Sequence, residues 1–213
     1  ELENPENTPN YDHLLVLSNS PEKAPDEAEH VVLEWEKGVP VKINGKAKSL
    51  TAILEELNEL GGKHGIGIVD IVENRVVGMK SRGVYETPGG TILMEAHRQL
   101  EELVLDRETL KYKRLVSVEF AELVYGAKWF SPLREALTAF VDKTQEVVSG
   151  TTKFRLYKGN IIKEGTTSPY SLYDEDIASF ATGDLYDHHD AEGFITLYGL
   201  STKVRAMKLN NKK

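Results

Sequence analysis

Two closely spaced turn signals near the start of the chain constrain its fold more than any other feature. Residues 31–45 alternate apolar and polar side chains on both sides of Lys37-Gly38, and Asn44-Gly45 offers a second tight turn. A glycine in such a pair readily adopts the left-handed conformation that a two-residue hairpin loop requires. The segment therefore predicts short strands joined in an antiparallel hairpin.

A second hairpin and several amphipathic helices follow. Residues 151–163 predict a hairpin with its turn at Gly159-Asn160. Helices are expected to begin at five residues that suit a helix N-cap, namely Ser49, Thr87, Asp106, Ser131 and Asp190. The first helix is expected to end at Gly61-Gly62, and a short helix is expected near Asp174–Phe180. Because strands and helices mix without the regular rhythm of a parallel sheet, we predict the α+β class, with a mixed or antiparallel sheet, packed helices and an extended C-terminal helix.

The charge and composition of the chain exclude several classes of function. Its 213 residues carry a formal net charge of −8 at pH 7, which argues against a nucleic-acid-binding surface or a polybasic membrane patch. No apolar run approaches the roughly 18 residues of a membrane span, and no signal peptide is recognisable. The absence of cysteine excludes disulfides and thiolate sites, and it fits a cytoplasmic protein. The first residue is Glu1 and not methionine, so we expect a piece of a longer protein.

Several common catalytic motifs are missing. The sequence contains neither the P-loop motif nor the G-x-G-x-x-G of dinucleotide-binding folds, and it lacks the G-x-S-x-G of the hydrolases. The sequence therefore offers no recognisable loop for binding phosphates. The His188–Asp190 run offers metal-binding side chains, but adjacent histidines point apart. A surface turn before a helix is the favoured interpretation, and no metal site is predicted.

The segment 70–90 combines β-forming residues with many charges. One interpretation is purely structural, with two strands at 68–72 and 76–79 joined by a solvated turn at 73–75. Charged residues at turns are usually solvated and need no function.

The alternative interpretation is a binding site for a small polar molecule. Regular alternation puts Glu73, Arg75, Ser81 and Tyr85 on one face, and Lys80, Arg82 and Glu86 on the other. A carboxylate and a tyrosine that converge from separate strands suit a zwitterionic ligand. The carboxylate can pair with an ammonium group, and the phenol adds an oriented hydrogen bond. The residues alone leave both interpretations open.

At this segment the chain resembles the argininosuccinate synthase family. The run DIVENRVVGMKSRGVYETPGGTIL is similar to a recognisable stretch of that family's synthetase domain, and the likeness extends nearly from end to end. The other runs that carry it, in chain order, are LENP, SPEKAPDEAEHVVLEWEKGVPVKING, GKHGIG, DRETLKYK, FAELVYGAKWFSP and SPYSLYDED. The resemblance covers only the second half of the family's chain, since the nucleotide-binding domain that opens it has no counterpart here.

The resemblance implies an ATP-dependent ligase of arginine biosynthesis and the urea cycle. In the family, the ureido oxygen of citrulline attacks the α-phosphate of ATP, which is bound with Mg²⁺, and pyrophosphate leaves. The amine of aspartate then displaces AMP to give argininosuccinate. Matched residue by residue, the family's citrulline contacts in VENR and GVYETP are Glu73 and Tyr85 here. The contacts to ATP, to aspartate and to the rest of citrulline are expected upstream of Glu1, so this chain alone is expected to hold no cofactor. Arg82 is expected to order the site or a subunit contact, and no ligand is assigned to it.

The resemblance also implies an organisation in three parts. Residues 1–29 are expected to be a connector from the missing domain, residues 30–186 the synthetase domain, and residues 187–213 a C-terminal oligomerisation helix. The family forms homotetramers, so we expect this chain to supply both citrulline contacts and subunit contacts, and to be inactive as a ligase alone. The alternative for the isolated chain is an oligomerisation module without activity of its own.

Overall fold

The computed structural model describes residues 2–178, 187 and 189–211. The chain divides into two compact units, with the boundary between Leu172 and Tyr173. The first unit combines helices with antiparallel sheets, which confirms the predicted α+β class.

The elements are numbered in chain order. The strands are β1 (Glu29–Glu36), β2 (Val39–Ile43), β3 (Lys46–Ala47), β4 (Ile68–Asn74), β5 (Lys80–Glu86), β6 (Gly150–Tyr157) and β7 (Asn160–Thr167). The helices are α1 (Tyr11–Leu14), α2 (Leu50–Lys63), α3 (Pro88–Val104), α4 (Arg107–Tyr125), α5 (Pro132–Gln145), α6 (Glu175–Ala178), α7 (Asp190–Tyr198) and α8 (Leu200–Asn210). A short 3₁₀ turn, Pro21–Lys23, lies between α1 and β1.

The larger sheet has the strand order β3-β2-β1-β6-β7, and each neighbouring pair is antiparallel. Both predicted hairpins are confirmed. In the first, Lys37 and Gly38 have φ values of 48° and 79°, the left-handed values that such a turn requires. In the second, the turn lies at Lys158-Gly159, one residue earlier than predicted, because these two residues have positive φ and Asn160 already belongs to β7.

One face of the larger sheet packs against α2 and α3. Buried and more exposed residues alternate along β1 and β6, as expected for a sheet that is covered on one side. The core consists of Val31, Leu33, Trp35, Ile43, Ile53, Leu57, Ile66, Ile92, Ala96, Leu100, Val104, Leu105, Val148, Phe154 and Leu156. Because α3 begins at Pro88, directly after Thr87 and the end of β5, this core also fixes the base of the β4–β5 hairpin.

Helix α2 begins as predicted but does not end where predicted. The hydroxyl of Ser49 accepts a hydrogen bond from the N–H of Ala52 and caps the helix. The helix then continues through Gly61 and Gly62, so the prediction that these glycines end it is wrong. They are buried, and a Cβ on Gly61 would lie 2.8 Å from a side-chain carbon of Ile92 in α3. The glycines therefore allow close packing and do not terminate the helix.

The predicted starts of α3, α4 and α5 are confirmed, with one difference at Thr87. The side chains of Asp106 and Ser131 accept hydrogen bonds from backbone N–H groups in the first turns of α4 and α5. Thr87 occupies the N-cap position of α3, but its hydroxyl makes no capping bond and lies 3.1 Å from the hydroxyl of Thr91. Pro88 leaves the first turn of α3 with one backbone N–H fewer to satisfy.

The second unit contains α6, α7 and α8. The short helix predicted near 174–180 is α6, and its expected end at Phe180 lies outside the described residues, as does His188. Asp190 is the first residue of α7 and His189 is its N-cap, so the predicted capping role of Asp190 is wrong. The expected extended helix is divided at Gly199 into α7 and α8. Among the described residues, no helix is both long enough and apolar enough to cross a membrane.

Candidate functional site

The charged segment singled out above forms a separate two-stranded antiparallel sheet, the β4–β5 hairpin. Strand β4 continues to Asn74, the turn lies at 75–79 and β5 begins at Lys80, so the predicted turn at 73–75 and the predicted strand at 76–79 are both wrong. Gly78 supplies the left-handed residue of the turn, with a φ of 91° that glycine adopts without strain. Glu73 therefore lies within a strand and not in a solvated turn.

The pairing register brings Glu73 and Tyr85 onto one face of the hairpin, as the alternation predicts. Glu73 lies opposite Ser81, and Tyr85 lies opposite Val69. The hydroxyl of Tyr85 donates a hydrogen bond of 2.9 Å to Oε1 of Glu73. This hydrogen bond raises the pKa of Tyr85, because loss of the proton would place a phenolate beside a carboxylate.

A short chain of hydrogen bonds orients the Glu73 carboxylate. Oγ of Ser81 donates to Oε1 of Glu73 at 3.4 Å, and Nε of Arg75 donates to Oγ of Ser81 at 3.0 Å. The hydrogen bonds from Ser81 and from Tyr85 both end on Oε1 of Glu73. An ionised carboxylate accepts at both of its oxygens, so the group has further capacity to accept from a cationic ligand. Glu73 is half-buried and Tyr85 is 47% exposed, so solvent reaches both side chains.

The opposite face of the hairpin holds the N-terminal segment. Arg82 makes a bidentate ion pair with Asp70, with distances of 2.8 Å from Nε and 2.6 Å from Nη2. Its Nη1 donates to the carbonyl oxygens of Asn7 at 2.7 Å and Pro5 at 3.2 Å. Arg82 therefore faces away from Glu73 and Tyr85, and it orders the segment that precedes α1.

Glu86 fixes the segment that follows α1, at the base of the hairpin. Its carboxylate accepts hydrogen bonds from three consecutive backbone N–H groups, those of residues 16–18, at 2.7, 2.9 and 2.7 Å. Charge-assisted bonds to backbone N–H groups are among the stronger hydrogen bonds in proteins. The two faces of β5 therefore differ, since Tyr85 faces the candidate site while Arg82 and Glu86 anchor the N-terminal chain on either side of α1.

The Asp70–Arg82 pair makes part of the stability sensitive to acid. Hydrogen bonding from Arg82 lowers the pKa of Asp70. A carboxyl group whose pKa is lowered by folding stabilises the protein above its unfolded pKa of about 3.9, and this contribution is lost as the pH falls through the folded pKa. We expect the melting temperature of the wild-type protein to fall more steeply below about pH 4 than that of Asp70→Asn. Thermal unfolding across that range measures this difference, and parallel curves for the two proteins would contradict it.

A groove of about 680 Å³ lies beside the site, between β4 and the C-terminal part of α4. Glu73 lines it from the hairpin, and Glu119 and Glu122 line it from α4. The hydroxyl of Tyr125 donates to the carbonyl oxygen of Asn74 at 3.4 Å and links the two elements. The sequence interpretation missed this contribution of α4. The run FAELVYGAKWFSP supported the resemblance, but its local pattern contains no signal that it lies against the hairpin.

A second polar cluster links three helices. The buried carboxylate of Glu101 on α3 accepts from Nζ of Lys113 on α4 at 2.8 Å and from Nε2 of Gln145 on α5 at 2.8 Å. Nε2 of His97, one turn earlier on α3, lies 2.7 Å from Oε1 of Gln145. These groups satisfy one another, so the cluster connects α3, α4 and α5. In the part of the chain that the structure describes, no group of three or more His, Asp or Glu side chains is arranged to hold a metal ion.

Comparisons with known proteins identify the family of the chain. Residues 1–205 match the model of the arginosuccinate synthase C-terminal domain. The chain is 72% identical over 209 residues to an argininosuccinate synthase of Lachnoclostridium phytofermentans, an alignment that covers 98% of this chain and 51% of the relative. It is 71% identical over 214 residues to the enzyme of that name from Lachnospira eligens, covering 100% of this chain and 52% of the relative. It is also 59% identical over 213 residues to an argininosuccinate synthase of Clostridium perfringens, an alignment that covers 99% of this chain and 53% of the relative.

The chain thus spans about half the length of the curated relatives that it matches. The family model covers nearly all of the chain, including the hairpin that carries Glu73 and Tyr85. The chain therefore belongs to the argininosuccinate synthase family, in the part that the family model describes as the C-terminal domain.

Proposed function

We propose that this chain is the citrulline-binding half of an argininosuccinate synthase, an ATP-dependent ligase that joins citrulline to aspartate. The observation that carries the proposal is the convergence of Glu73 and Tyr85, whose side chains meet at 2.9 Å on one face of the β4–β5 hairpin. The α-ammonium of citrulline pairs with the carboxylate of Glu73, and the phenol of Tyr85 makes an oriented hydrogen bond to the same ligand.

The reaction proceeds in two steps. The ureido oxygen of citrulline attacks the α-phosphorus of ATP, the bond to pyrophosphate breaks, and a citrullyl-adenylate forms. The amine of aspartate then attacks the activated ureido carbon, AMP leaves, and argininosuccinate results. Mg²⁺ that enters with the ATP substrate would offset charge on the phosphates, and the residues that would hold this complex are proposed to lie outside this chain.

Glu73 acts by positioning and not as a general base. The ureido oxygen needs no proton removed before it attacks a magnesium-bound phosphate, so the contribution of the protein is orientation and charge stabilisation. The bonds from Ser81 and Tyr85 to Oε1 hold the carboxylate in one orientation, which limits the entropy lost when citrulline binds.

The organisation in three parts is proposed on the same basis. Residues 1–29 connect to the nucleotide-binding domain. Arg82 donates hydrogen bonds to carbonyl oxygens of this segment and Glu86 accepts hydrogen bonds from its N–H groups, which supports its role as a connector laid over the domain surface. Residues 30–186 form the synthetase domain, and residues 187–213 take part in assembly. The full-length enzyme binds ATP mainly outside this chain, acts in arginine biosynthesis in the cytoplasm, and depends on that missing domain for activity.

A ligase assay of the full-length protein tests the proposed reaction. With citrulline, aspartate and Mg-ATP all present, we expect stoichiometric formation of argininosuccinate, AMP and pyrophosphate, and we expect no argininosuccinate when any substrate is omitted. The isolated chain serves as the control and should be inactive. Release of ADP and phosphate in place of AMP and pyrophosphate would exclude the adenylation step.

Assembly is the second candidate function, and the exposure of the last helices favours it. Helices α7 and α8 contain no buried residue. Their exposed large apolar side chains are Phe194, Ile195, Leu197, Tyr198, Leu200, Val204, Met207 and Leu209. Apolar surface of this kind usually marks an interaction site, and a second copy of the same chain is the proposed partner, within a homotetramer of the full-length enzyme.

Light scattering of the isolated chain tests whether assembly is its own property. We expect a mass of two or more chains of 23.8 kDa each. Leu197→Lys should shift the distribution towards the single-chain mass, because a lysine at an apolar contact would lose the solvation of its charge. A monodisperse single-chain mass for the unmodified chain would remove assembly as a function of this half alone.

A further inference from the structure

We propose that Gly83 is a positioning residue for citrulline binding, because only the absence of a side chain there allows the Tyr85 ring to lie along β5 and reach Glu73. The inference rests on the proposed function, since it assigns a role within the same site.

The geometry of the hairpin explains why the Tyr85 ring must pass over this position. Gly83 lies between Ser81 and Tyr85 on the same face of β5, and Glu73 is opposite Ser81. To donate to Glu73, the Tyr85 side chain must therefore extend along its own strand, across the residue between them. A Cβ on Gly83 would lie 2.9 Å from Cε2, 3.0 Å from Cζ and 3.1 Å from the hydroxyl oxygen of Tyr85. These distances are well inside the roughly 3.5–4.0 Å of an ordinary contact between carbon atoms.

The glycine is needed for space and not for its backbone conformation. Gly78, in the turn of the same hairpin, has a positive φ, whereas Gly83 is not among the residues with positive φ. Any residue could therefore adopt the backbone of Gly83. Glycine within a strand lowers strand stability and often marks a place where another group approaches closely. Here the approaching group is the phenol ring of Tyr85.

The surroundings of Tyr85 make this role separable from folding. Its side chain is 47% exposed, so the ring can swing towards solvent when a methyl group is added at Gly83, and no buried side chain has to move. Gly83→Ala should therefore fold normally and lose the bond from Tyr85 to Glu73.

Steady-state kinetics of the full-length ligase test the inference. We expect Gly83→Ala to raise the citrulline KM roughly three- to tenfold, because the change removes about one hydrogen bond. The ATP KM and the melting temperature should stay nearly unchanged. Tyr85→Phe should have a similar effect, and the double variant should be no worse than Tyr85→Phe alone, because both changes remove the same interaction. Gly90→Ala is the matched control, since its new methyl group would meet its nearest neighbour, Cβ of Thr87, only at 3.9 Å.

A second readout follows the position of Tyr85 without using activity. With tyrosine labelled at ¹³Cζ, the Tyr85 signal should titrate closer to an ordinary tyrosine in Gly83→Ala than in the wild-type protein. If Gly83→Ala changes neither this titration nor the citrulline KM while Tyr85→Phe raises the KM, the inference is wrong and the proposed function stands. If Tyr85→Phe also leaves the citrulline KM unchanged, the proposed function fails and the role of Gly83 fails with it.

Discussion

Glu73→Gln in the full-length ligase is expected to raise the citrulline KM by roughly ten- to a hundredfold and to leave the ATP KM nearly unchanged. A charge-assisted hydrogen bond contributes about 1.5–3 kcal/mol, and tenfold in affinity corresponds to about 1.4 kcal/mol. Glutamine keeps the size of the side chain and an oxygen that can accept from Tyr85, so the bond of 2.9 Å can persist. The change therefore removes the charge that is proposed to pair with the α-ammonium of citrulline, and little else.

Glu59→Gln provides the matched control, because it makes the same chemical change at an exposed position on α2. Its citrulline KM should equal that of the wild-type enzyme. If the citrulline KM of Glu73→Gln were unchanged, the structural interpretation would hold, in which the charges of the hairpin are solvated and bind no ligand.

Glu101→Ala is expected to lower the free energy of unfolding by about 2–4 kcal/mol. Removing one partner of a buried ion pair typically costs 3–5 kcal/mol, because the other charge is left without compensation. The Glu101 side chain is 8% exposed and that of Lys113 is 15% exposed, so partial access of Lys113 to water reduces the expected cost. The variant also leaves Gln145 without the acceptor for one of its N–H groups.

Glu102→Ala is the matched control for this prediction, because it removes an exposed carboxylate that is also part of an ion pair. Glu102 is the next residue of α3 and pairs with Arg98 at 2.6 Å, but these side chains are 31% and 48% exposed. Exposed ion pairs contribute about 0–1 kcal/mol, so this variant should change the urea midpoint little. Equal shifts for the two variants would contradict the view that the Glu101 cluster is a buried link between helices.

Local chemistry accounts for the parts of the fold that could be predicted from sequence. The hairpin at Lys37-Gly38 follows from the need for two residues with positive φ. The starts of α4 and α5 follow from the capping ability of Asp106 and Ser131. Each of these signals acts within a few residues, so it can be read without knowing what packs against the element.

The predictions that were wrong depend on contacts between distant residues. Gly61 and Gly62 are typical of a helix end, yet both belong to α2, where Gly61 packs against Pro88 and Ile92 and Gly62 packs against the backbone of Leu17. The turn of the β4–β5 hairpin was predicted at 73–75 because charged residues are common in turns. Strand β4 instead extends to Asn74, because Glu73 pairs regularly with Ser81 on β5. The turn forms around Gly78, which adopts a positive φ.

The candidate site could be predicted only in part. Strand alternation correctly predicted that Glu73 and Tyr85 lie on one face. The family resemblance implies that both residues bind citrulline, and that role stays a prediction. The proposed role of Gly83 could not be inferred from the sequence, since the short distance between an added Cβ and Tyr85 depends on the rotamer of that ring. The contact of Tyr125 with Asn74 depends on how α4 packs against the hairpin, and no local pattern in the sequence encodes that packing.

A structure of the full-length ligase with bound citrulline is the most direct test of the central claim. We expect the α-ammonium nitrogen of citrulline to lie about 2.7–3.2 Å from a carboxylate oxygen of Glu73, with the hydroxyl of Tyr85 bonded to the same ligand. Citrulline bound elsewhere, with no polar contact to Glu73 or Tyr85, would contradict the account.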